Sequence, residues 1–339
     1  MDDRAGGHGR ICVSVKSMTQ NSSVTDPQSA AIGFVGLGQQ GGPMAANLLA
    51  AGYDLIVRDA DLERERRFVA AHGGRGCGGD PASLAESEIV ITMLPNGQVV
   101  RDALLGEDRI ASRLRPGAII VDTSSSDPYG TQELGGELAE LGLILLDSPV
   151  TRPEAVGEDT RRITFMVAGD DDAIDRVMPL LQAMAERVFR AGPLGCGHAM
   201  KTLNNYVSAA GLAAALDAMV AGQRFGLEVE TMLEVFNAGT ARNFSTANTL
   251  IDEAMSRRYA AGFQLALMVK DLRIASSLFE RVNFDAPVSQ LVCDQFARGA
   301  RAARRSARRS LQVTRGLGVP GWRQRATAAA APAGRLIAG

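Results

Sequence analysis

The feature that most constrains the fold is a glycine-rich loop between an apolar run and an amphipathic helix. The loop reads Gly36-x-Gly38-x-x-Gly41 and follows the apolar run Ala31–Val35. In this spacing the first glycine permits a tight turn, the second lets backbone approach a pyrophosphate, and the third allows close helix packing. The pattern predicts a dinucleotide-binding βαβ unit, with six loop residues as cofactor contacts: Gly36, Leu37, Gly38, Gln39, Gln40 and Gly41.

An acidic residue follows where such a unit holds the adenosine ribose. Asp59 directly follows the apolar run Leu55–Arg58 and lies 18 residues after Gly41. A carboxylate there accepts hydrogen bonds from the ribose hydroxyls and repels a 2′-phosphate, which predicts NAD in preference to NADP. Arg58 leaves NADP possible, because a guanidinium turned inward would attract that phosphate.

Short apolar runs alternate with helix-like stretches over the first half of the chain. The strand candidates are Ala31–Val35, Asp54–Arg58, Ile89–Met93, Ala118–Asp122, Leu143–Leu146 and Ile163–Ala168. This alternation predicts parallel βαβ units, so we expect an α/β domain with a Rossmann-type, doubly wound sheet over residues 30–192. From residue 193 strand signals give way to helical ones, which predicts an all-α domain over residues 193–297. Its helix candidates are His198–Gly222, Val229–Ala238, Ser245–Ser256, Leu265–Glu280 and Val288–Ala300.

The two ends of the chain differ from this body. We expect residues 1–29 to form a flexible, polar head, in which Met18 is an alternative start. Residues 298–339 carry ten arginines and no acidic residue, although the formal net charge of the whole chain is −2. Such a tail is either a basic arm for an anionic partner or an altered C-terminus, and we favour the altered C-terminus. No nucleic-acid-binding motif accompanies the arm, so we do not expect nucleic acid as a partner.

Composition excludes several other classes. No apolar run reaches the ~18 residues of a membrane span, and the N-terminal stretch lacks the apolar region of a signal peptide. The four cysteines are scattered without a C-x-x-C pair, and no histidine cluster accompanies them. We therefore expect reduced thiols, no metal site and a cytoplasmic protein.

Polar residues follow three of the expected strands, at the sheet edge where ligands of open α/β sheets bind. These loops contain Thr92-Met93-Leu94-Pro95-Asn96, Asp122-Thr123-Ser124-Ser125-Ser126 and Asp147-Ser148-Pro149-Val150-Thr151. The long helix adds Lys201, Asn204 and Asn205, whose i, i+3 and i+4 spacing predicts a shared helix face. Lysine is conspicuous here because the chain has only three, Lys16, Lys201 and Lys270. Its ammonium is the basic side chain whose pKa falls most readily on burial.

As a set, these motifs resemble the β-hydroxyacid dehydrogenase family, which includes 3-hydroxyisobutyrate dehydrogenase, tartronate semialdehyde reductase and 6-phosphogluconate dehydrogenase. The resemblance extends from about Ile32 to Phe296 and includes GFVGLGQQGGPMAANL, ITMLPNG, VDTSSSDP, DSPV, GHAMKTLNNY and MVKDLRIA. It implies the 6-phosphogluconate dehydrogenase-like fold and a small anionic hydroxy acid or semialdehyde as substrate. By analogy it also implies a homodimer or homotetramer.

The resemblance assigns roles residue by residue. Lys201 matches the catalytic lysine, Asn205 the asparagine that holds the substrate, and Ser124 the serine that contacts the substrate carboxylate. The cofactor contacts that it adds to the glycine loop and Asp59 are Leu94, Pro95, Ser125 and Lys270, and we expect Val99 to contact the cofactor as well. The further substrate contacts that we expect are Asn204, from the shared helix face, and Thr151 and Arg152, from the loop after Asp147. The expected reaction is NAD-dependent interconversion of a small 3-hydroxy acid and its semialdehyde, with Lys201 as acid and base.

Two departures from the family pattern keep alternatives open. The family places Ser-Gly-Gly after Asp-x-Pro-Val, whereas this chain has Thr151, Arg152 and Pro153. An arginine there suits a sulfonate, a phosphate or a second carboxylate, so sulfolactaldehyde reductase and tartronate semialdehyde reductase are alternative activities. The other departure is the arginine-rich end, which replaces the family's amphipathic C-terminal helix. An alternative of another class is a catalytically inactive nucleotide-binding protein.

Overall fold

Nine strands form one sheet in the part of the chain that the structure describes. The structure is a computed structural model that describes residues 31–151, 162–255 and 265–305, with the backbone alone for 252–255 and 303–305. The strands are β1 (Ile32–Val35), β2 (Leu55–Arg58), β3 (Arg75–Gly76), β4 (Ile89–Thr92), β5 (Ile119–Asp122), β6 (Ile144–Asp147), β7 (Val150–Thr151), β8 (Thr164–Ala168) and β9 (Arg187–Gly192). Their order is β3-β2-β1-β4-β5-β6-β8-β7, and β9 pairs with β8.

Five helices belong to this sheet domain, and several start at short polar caps. They are α1 (Gly41–Ala50), α2 (Leu62–His72), α3 (Gly97–Leu105), α4 (Pro128–Glu140) and α5 (Asp171–Met184). Two 3₁₀ helices, Pro81–Glu86 and Ala111–Arg113, complete the domain. The caps of α2 to α5 are Asp61, Asn96, Asp127 and Asp170, whose side chains accept hydrogen bonds from backbone N–H groups of the first turn.

The central strands are buried on both faces, which explains their continuous apolar runs. Every residue of β1, β2, β4 and β5 is buried. Alternate residues enter two cores: Phe34, Val57 and Ile91 pack with α1 and α5 on one side. Ile56 and Val90 pack with α3 and α4 on the other. The doubly wound α/β fold expected from the sequence is thereby confirmed.

The parallel arrangement expected from the βαβ units holds for the central strands but not at one edge. β1, β2, β4, β5 and β6 pair in parallel with one another, but β8 runs antiparallel to β6 and β7 runs antiparallel to β8. The chain therefore reverses direction between β7 and β8. The sequence pattern also missed β3 and β7, which have two residues each, and β9, an exposed edge strand.

After β9 the described chain is helical, as expected. Helix α6 (Cys196–Phe225) is followed by α7 (Val229–Ala238), a π-helix (Ser245–Met255), α8 (Leu265–Arg281) and α9 (Pro287–Arg305). Helix α6 has 30 residues, about 45 Å at 1.5 Å per residue. It contacts β8, β9 and α4 of the sheet domain as well as α7, α8 and α9. This one helix therefore joins the two halves of the molecule.

The end of the helical region differs from the sequence expectation. Helix α9 continues to Arg305, eight residues beyond the expected domain end at residue 297. Arginine and alanine are strong helix formers, so the first turns of the arginine-rich stretch prolong the helix. Residues 306–339 of the expected tail, and the expected head 1–29, lie outside the described residues. No helix in the described part of the chain is long and apolar enough to cross a membrane.

Candidate active site

The glycine loop between β1 and α1 has two positions that accommodate only glycine, one because of its backbone conformation and both because of close contacts. Gly36 has φ +101°, and a Cβ there would lie 2.3 Å from the Met93 carbonyl oxygen. A Cβ on Gly41 would lie 1.9 Å from the Gly36 carbonyl oxygen. The loop is therefore packed tightly against β4 on one side and against its own helix on the other.

On its outer side the same loop is open. A Cβ on Gly38 would meet no atom within 4 Å, and Gly38, Gln39 and Gln40 are exposed whereas Leu37 is buried. The loop ends at the N-terminus of α1, where backbone N–H groups and the helix dipole favour an anion. β1 lies between β2 and β4, which is the switch point where open α/β sheets bind nucleotides. These residues fit the pyrophosphate of a dinucleotide.

Asp59 lies beside this loop with both carboxylate oxygens engaged. Oδ2 accepts a hydrogen bond from the Leu37 N–H at 2.8 Å, and Oδ1 accepts from Asp61 N at 2.8 Å and Arg64 Nη1 at 3.0 Å. Arg58, the residue that left NADP possible, forms a 2.5 Å ion pair with Asp108 and is buried. Its guanidinium is thus committed elsewhere, and Arg64 is the cation at Asp59.

The loops after β4 and β5 are hydrogen-bonded to each other. Leu94 N–H donates to Ser124 Oγ at 2.9 Å, and Ser124 N–H donates to Asp122 Oδ1 at 3.0 Å. Ser124 is buried, whereas Pro95 and Val99 are exposed above the loops. Lys270, on α8 of the helical half, donates from Nζ to the Ser125 carbonyl oxygen at 2.6 Å. This contact brings α8 against the expected cofactor loops.

Lys201 is buried in α6, at 9% exposure. Burial lowers the pKa of its ammonium from 10.5 to about 8, because the charged form loses hydration. The carboxylate of Asp271 opposes this lowering, and the charge of Lys270 adds to it. Lys201 can therefore exchange a proton near neutral pH.

Asn205 and Asp271 form a polar pair beside Lys201. Asn205 Nδ2 donates to Asp271 Oδ2 at 2.6 Å, and both residues are buried. Asp271 Oδ1 lies 3.3 Å from Lys270 Nζ. Asp271 was not among the residues selected from the sequence, although its position next to Lys270 was a signal. It forms an ion pair with Lys270 and stabilises the ammonium of Lys201.

Asn204 and Thr151 are placed differently from Lys201 and Asn205. Asn204 is exposed, whereas Lys201 and Asn205 are buried, and the Asn204 amide donates to Asn205 Oδ1 at 3.2 Å. With Thr151 it lines a cavity of about 400 Å³, whose described lining does not include Lys201 or Ser124. The expected anion-binding Arg152 lies outside the described residues.

A buried histidine stands between the two halves of the site. His198 lies one turn before Lys201, and its ring is 3.7 Å from both Asp122 Oδ2 and Asp147 Oδ2. Burial raises the pKa of the Asp147 carboxyl, and His198 together with two backbone N–H groups acts against that rise. Sequence reasoning missed these three residues as a unit, although both aspartates end neighbouring strands and the chain has only three histidines.

Comparisons with known proteins give matches to both halves of the chain. Residues 31–192 match the family described as the NAD-binding domain of 6-phosphogluconate dehydrogenase, and residues 195–314 the NAD-binding family of NADP-dependent 3-hydroxyisobutyrate dehydrogenase. The 3-sulfolactaldehyde reductase of Escherichia coli is 32% identical over 277 residues, 81% of this chain and 92% of that protein. The chain belongs to the β-hydroxyacid dehydrogenase family.

Two further members are similar over most of their length. The NAD-dependent L-serine dehydrogenase of Pseudomonas aeruginosa is 32% identical over 266 residues, 77% of this chain and 89% of that protein. A solved structure of Mycobacterium tuberculosis 3-hydroxyisobutyrate dehydrogenase with L-serine aligns with TM-score 0.75 and 28% identity, covering 85% of this chain and 98% of that one. Membership confirms the resemblance drawn from the motifs, and the chain is an NAD(P)-binding oxidoreductase of hydroxy acids.

Proposed function

We propose that this enzyme interconverts a small 3-hydroxy acid and its semialdehyde, with NAD as the preferred cofactor and Lys201 as the acid–base group. The observation that carries the proposal is the buried Lys201, whose pKa falls to about 8 beside Asn205 and Asp271. A group that titrates near the working pH is the most effective proton donor and acceptor.

The cofactor contacts proposed are those that flank the open side of the sheet edge. The glycine loop would hold the pyrophosphate and Asp59 the adenosine ribose, while Leu94, Pro95, Val99, Ser125 and Lys270 would line the remainder of the cofactor site. When bound, the nicotinamide supplies the hydride acceptor in oxidation and the hydride donor in reduction. Arg58 is committed to Asp108 and Arg64 pairs with Asp59, so the preference for NAD over NADP is assigned to the Asp59 carboxylate, which would repel a 2′-phosphate.

The acid–base step is assigned to Lys201. In oxidation its neutral amine takes the proton of the substrate hydroxyl. A hydride leaves the carbon that bears this hydroxyl, and that carbon becomes the carbonyl carbon. In reduction the ammonium returns that proton to the carbonyl oxygen as the hydride arrives. Asn205 would orient the substrate hydroxyl, and its hydrogen bond to Asp271 holds its amide in place.

The substrate's anionic group is assigned to the loop after β5, to the end of β7 with the residue that follows it, and to α6. Ser124 would contact the carboxylate, with Thr151, Asn204 and Arg152 as further contacts. Arg152 stands where the family usually has glycine, and the similar Escherichia coli protein is a 3-sulfolactaldehyde reductase. This residue keeps sulfolactaldehyde and tartronate semialdehyde as second candidate substrates.

Two broader features complete the proposal. Large apolar side chains are exposed on the helical half, among them Phe225, Val207 and Leu291, and they support self-association as a homodimer or homotetramer. We infer that the enzyme works in the cytoplasm, with its thiols reduced. The inactive nucleotide-binding alternative is disfavoured, because a cation buried in α6 costs stability that a pure binding protein has no reason to spend.

A substrate screen tests the proposed activity directly. Initial rates with NAD and NADP would be compared over 3-hydroxyisobutyrate, glycerate, threonate, sulfolactate and L-serine, and the reverse reaction with available semialdehydes. We expect turnover of at least one small 3-hydroxy acid, faster with NAD. A protein that binds NADH but oxidises none of these compounds, and reduces none of the corresponding semialdehydes, would support the inactive alternative.

A further inference from the structure

The imidazole of His198, in the first turn of α6, contacts the loop after β5 and helix α4. Its Nε2 lies 3.2 Å from the Ser124 carbonyl oxygen, and its Nδ1 lies 2.8 Å from Thr131 Oγ1 on α4. A carbonyl oxygen only accepts hydrogen bonds, so Nε2 carries a proton and donates a hydrogen bond to the Ser124 carbonyl oxygen. The histidine is 1% exposed, so water does not compete for these contacts.

Asp147 fixes the start of α6. Its Oδ1 accepts a hydrogen bond from Gly195 N, and its Oδ2 accepts from His198 N, each at 2.7 Å. A Cβ on Gly197 would lie 2.3 Å from the Met166 carbonyl oxygen, so the helix approaches the sheet as closely as backbone allows. Lys201 follows His198 by three residues on this anchored turn.

Asp122 shapes the other side of the same junction. Its Oδ1 accepts from Thr92 Oγ1 at 2.9 Å and from Ser124 N at 3.0 Å, and its Oδ2 accepts from Ser126 Oγ at 3.2 Å. The Asp122 carboxylate thus holds the loop that carries Ser124. The imidazole of His198 also touches this loop, through the Ser124 carbonyl.

The charges around the imidazole are two carboxylates from two strands. Asp122 faces it from β5 and Asp147 from β6, while α4 presents the neutral Thr131, and Lys201 lies one turn further along its own helix. Among the described residues, His198 is the only basic side chain within 4 Å of either carboxylate. An apolar side chain in its place would leave the Ser124 carbonyl and both carboxylates without this partner.

We propose that His198 is a positioning residue of the reaction: it sets the placement of Ser124, which contacts the substrate, relative to Lys201, which moves the proton. The inference rests on the proposed roles of Ser124 and Lys201. It assigns no proton transfer to His198 itself. A displacement of about 1 Å between groups that hold and react with a substrate costs up to about a hundredfold in rate.

The test compares His198→Leu, which fills similar space without a donor, with His198→Gln, whose amide N–H can reach the Ser124 carbonyl. We expect His198→Leu to lower kcat by about 10²-fold and His198→Gln to recover to within about tenfold of the wild type. The NADH dissociation constant should rise by less than kcat falls in both, because the glycine loop and Asp59 are untouched, although the cofactor contact Ser125 lies on the Ser124 loop. The control is His72→Gln, at an exposed position of α2, and we expect it to change neither kcat nor the NADH dissociation constant.

A double-mutant cycle with Ser124→Ala separates positioning from general loosening of the fold. If His198 acts through the Ser124 loop, His198→Leu costs much less in kcat/KM on the Ser124→Ala background than on the wild type. Full additivity would overturn the proposal. So would wild-type kcat in His198→Leu, or an equal loss of kcat, NADH affinity and thermal stability in both histidine variants without rescue by glutamine.

A measurement on the unmodified protein covers the case in which the variants do not fold. With ¹⁵N-labelled histidine rings, NMR should show a slowly exchanging proton on Nε2 of His198 and none on exposed His72. A bare Nε2 would overturn the proposal. Failure of the proposed function looks different: Lys201→Ala would then retain turnover in the same assay, whatever the histidine variants do.

Discussion

The lowered pKa of Lys201 predicts a distinctive pH profile that two neighbouring substitutions should move in opposite directions. The fall from 10.5 to about 8 favours the neutral amine by about 3 kcal/mol, at 1.36 kcal/mol per pKa unit. At pH 7 about a tenth of the enzyme then holds neutral Lys201, compared with about one part in three thousand for an unperturbed lysine. Oxidation needs the neutral form, so its kcat/KM should rise with pH, reach half of its maximum near pH 8 and level off about one pH unit higher. Reduction needs the ammonium and should decline above the same pH.

The direction of each shift follows from the charges around Lys201. Asp271 stabilises the ammonium, so Asp271→Asn should move the midpoint of the oxidation profile to lower pH. Lys270 destabilises it, so Lys270→Met should move the midpoint to higher pH. The assay is the initial rate of NADH formation from about pH 6 to about pH 10 at constant ionic strength. An unmoved midpoint, or shifts of the same sign in both variants, would refute the assignment of the profile to Lys201.

Three further outcomes are expected. NAD should be preferred over NADP by at least about tenfold in kcat/KM, about 1.4 kcal/mol, and Asp59→Asn should reduce that preference; equal rates in the wild type would contradict it. Gly41→Ala should lower the free energy of unfolding by about 1–3 kcal/mol because its Cβ meets backbone, whereas Gly38→Ala should keep stability and weaken NADH binding, and calorimetry with NADH titration separates the two. Arg152→Gly should weaken use of the native anionic substrate by about 10²-fold in kcat/KM, about 2.7 kcal/mol, and unchanged values for every active substrate would remove the sulfonate-type alternative.

The parts of the fold that the sequence predicted are those with a clear apolar signal. The runs that became β1, β2, β4 and β5 are buried on both faces and bounded by turns, so an unbroken apolar run is enough to mark them. β7 has two residues and carries too little pattern to detect. The reversal at β8 depends on how the chain returns to the sheet edge, and apolar periodicity does not encode strand direction.

In the candidate site, some residues were also predictable from the sequence and others were not. Lys201 and Asn205 stood out because polar residues are unexpected in an otherwise apolar helix, and the structure buries both. Asn204 shares their spacing but is exposed. Side chains three residues apart are neighbours on the helix surface, but they do not point in the same direction, so one can be buried while the other meets solvent. His198 was missed because its partners come from the ends of β5 and β6, about 75 and 50 residues earlier in the chain. Long-range polar contacts of this kind become visible only when the strands and helix are brought together.

The most direct test of the account is turnover and NADH titration on one preparation of Lys201→Ala, with Lys201→Arg beside it. We expect kcat to fall by about 10²–10⁴-fold in the alanine variant, the usual contribution of a positioned acid–base group, while NADH binds as in the wild type. Arginine should not restore turnover, because its guanidinium stays protonated and cannot accept the hydroxyl proton. Turnover of the alanine variant within a few-fold of the wild type would contradict the central claim that Lys201 moves the proton.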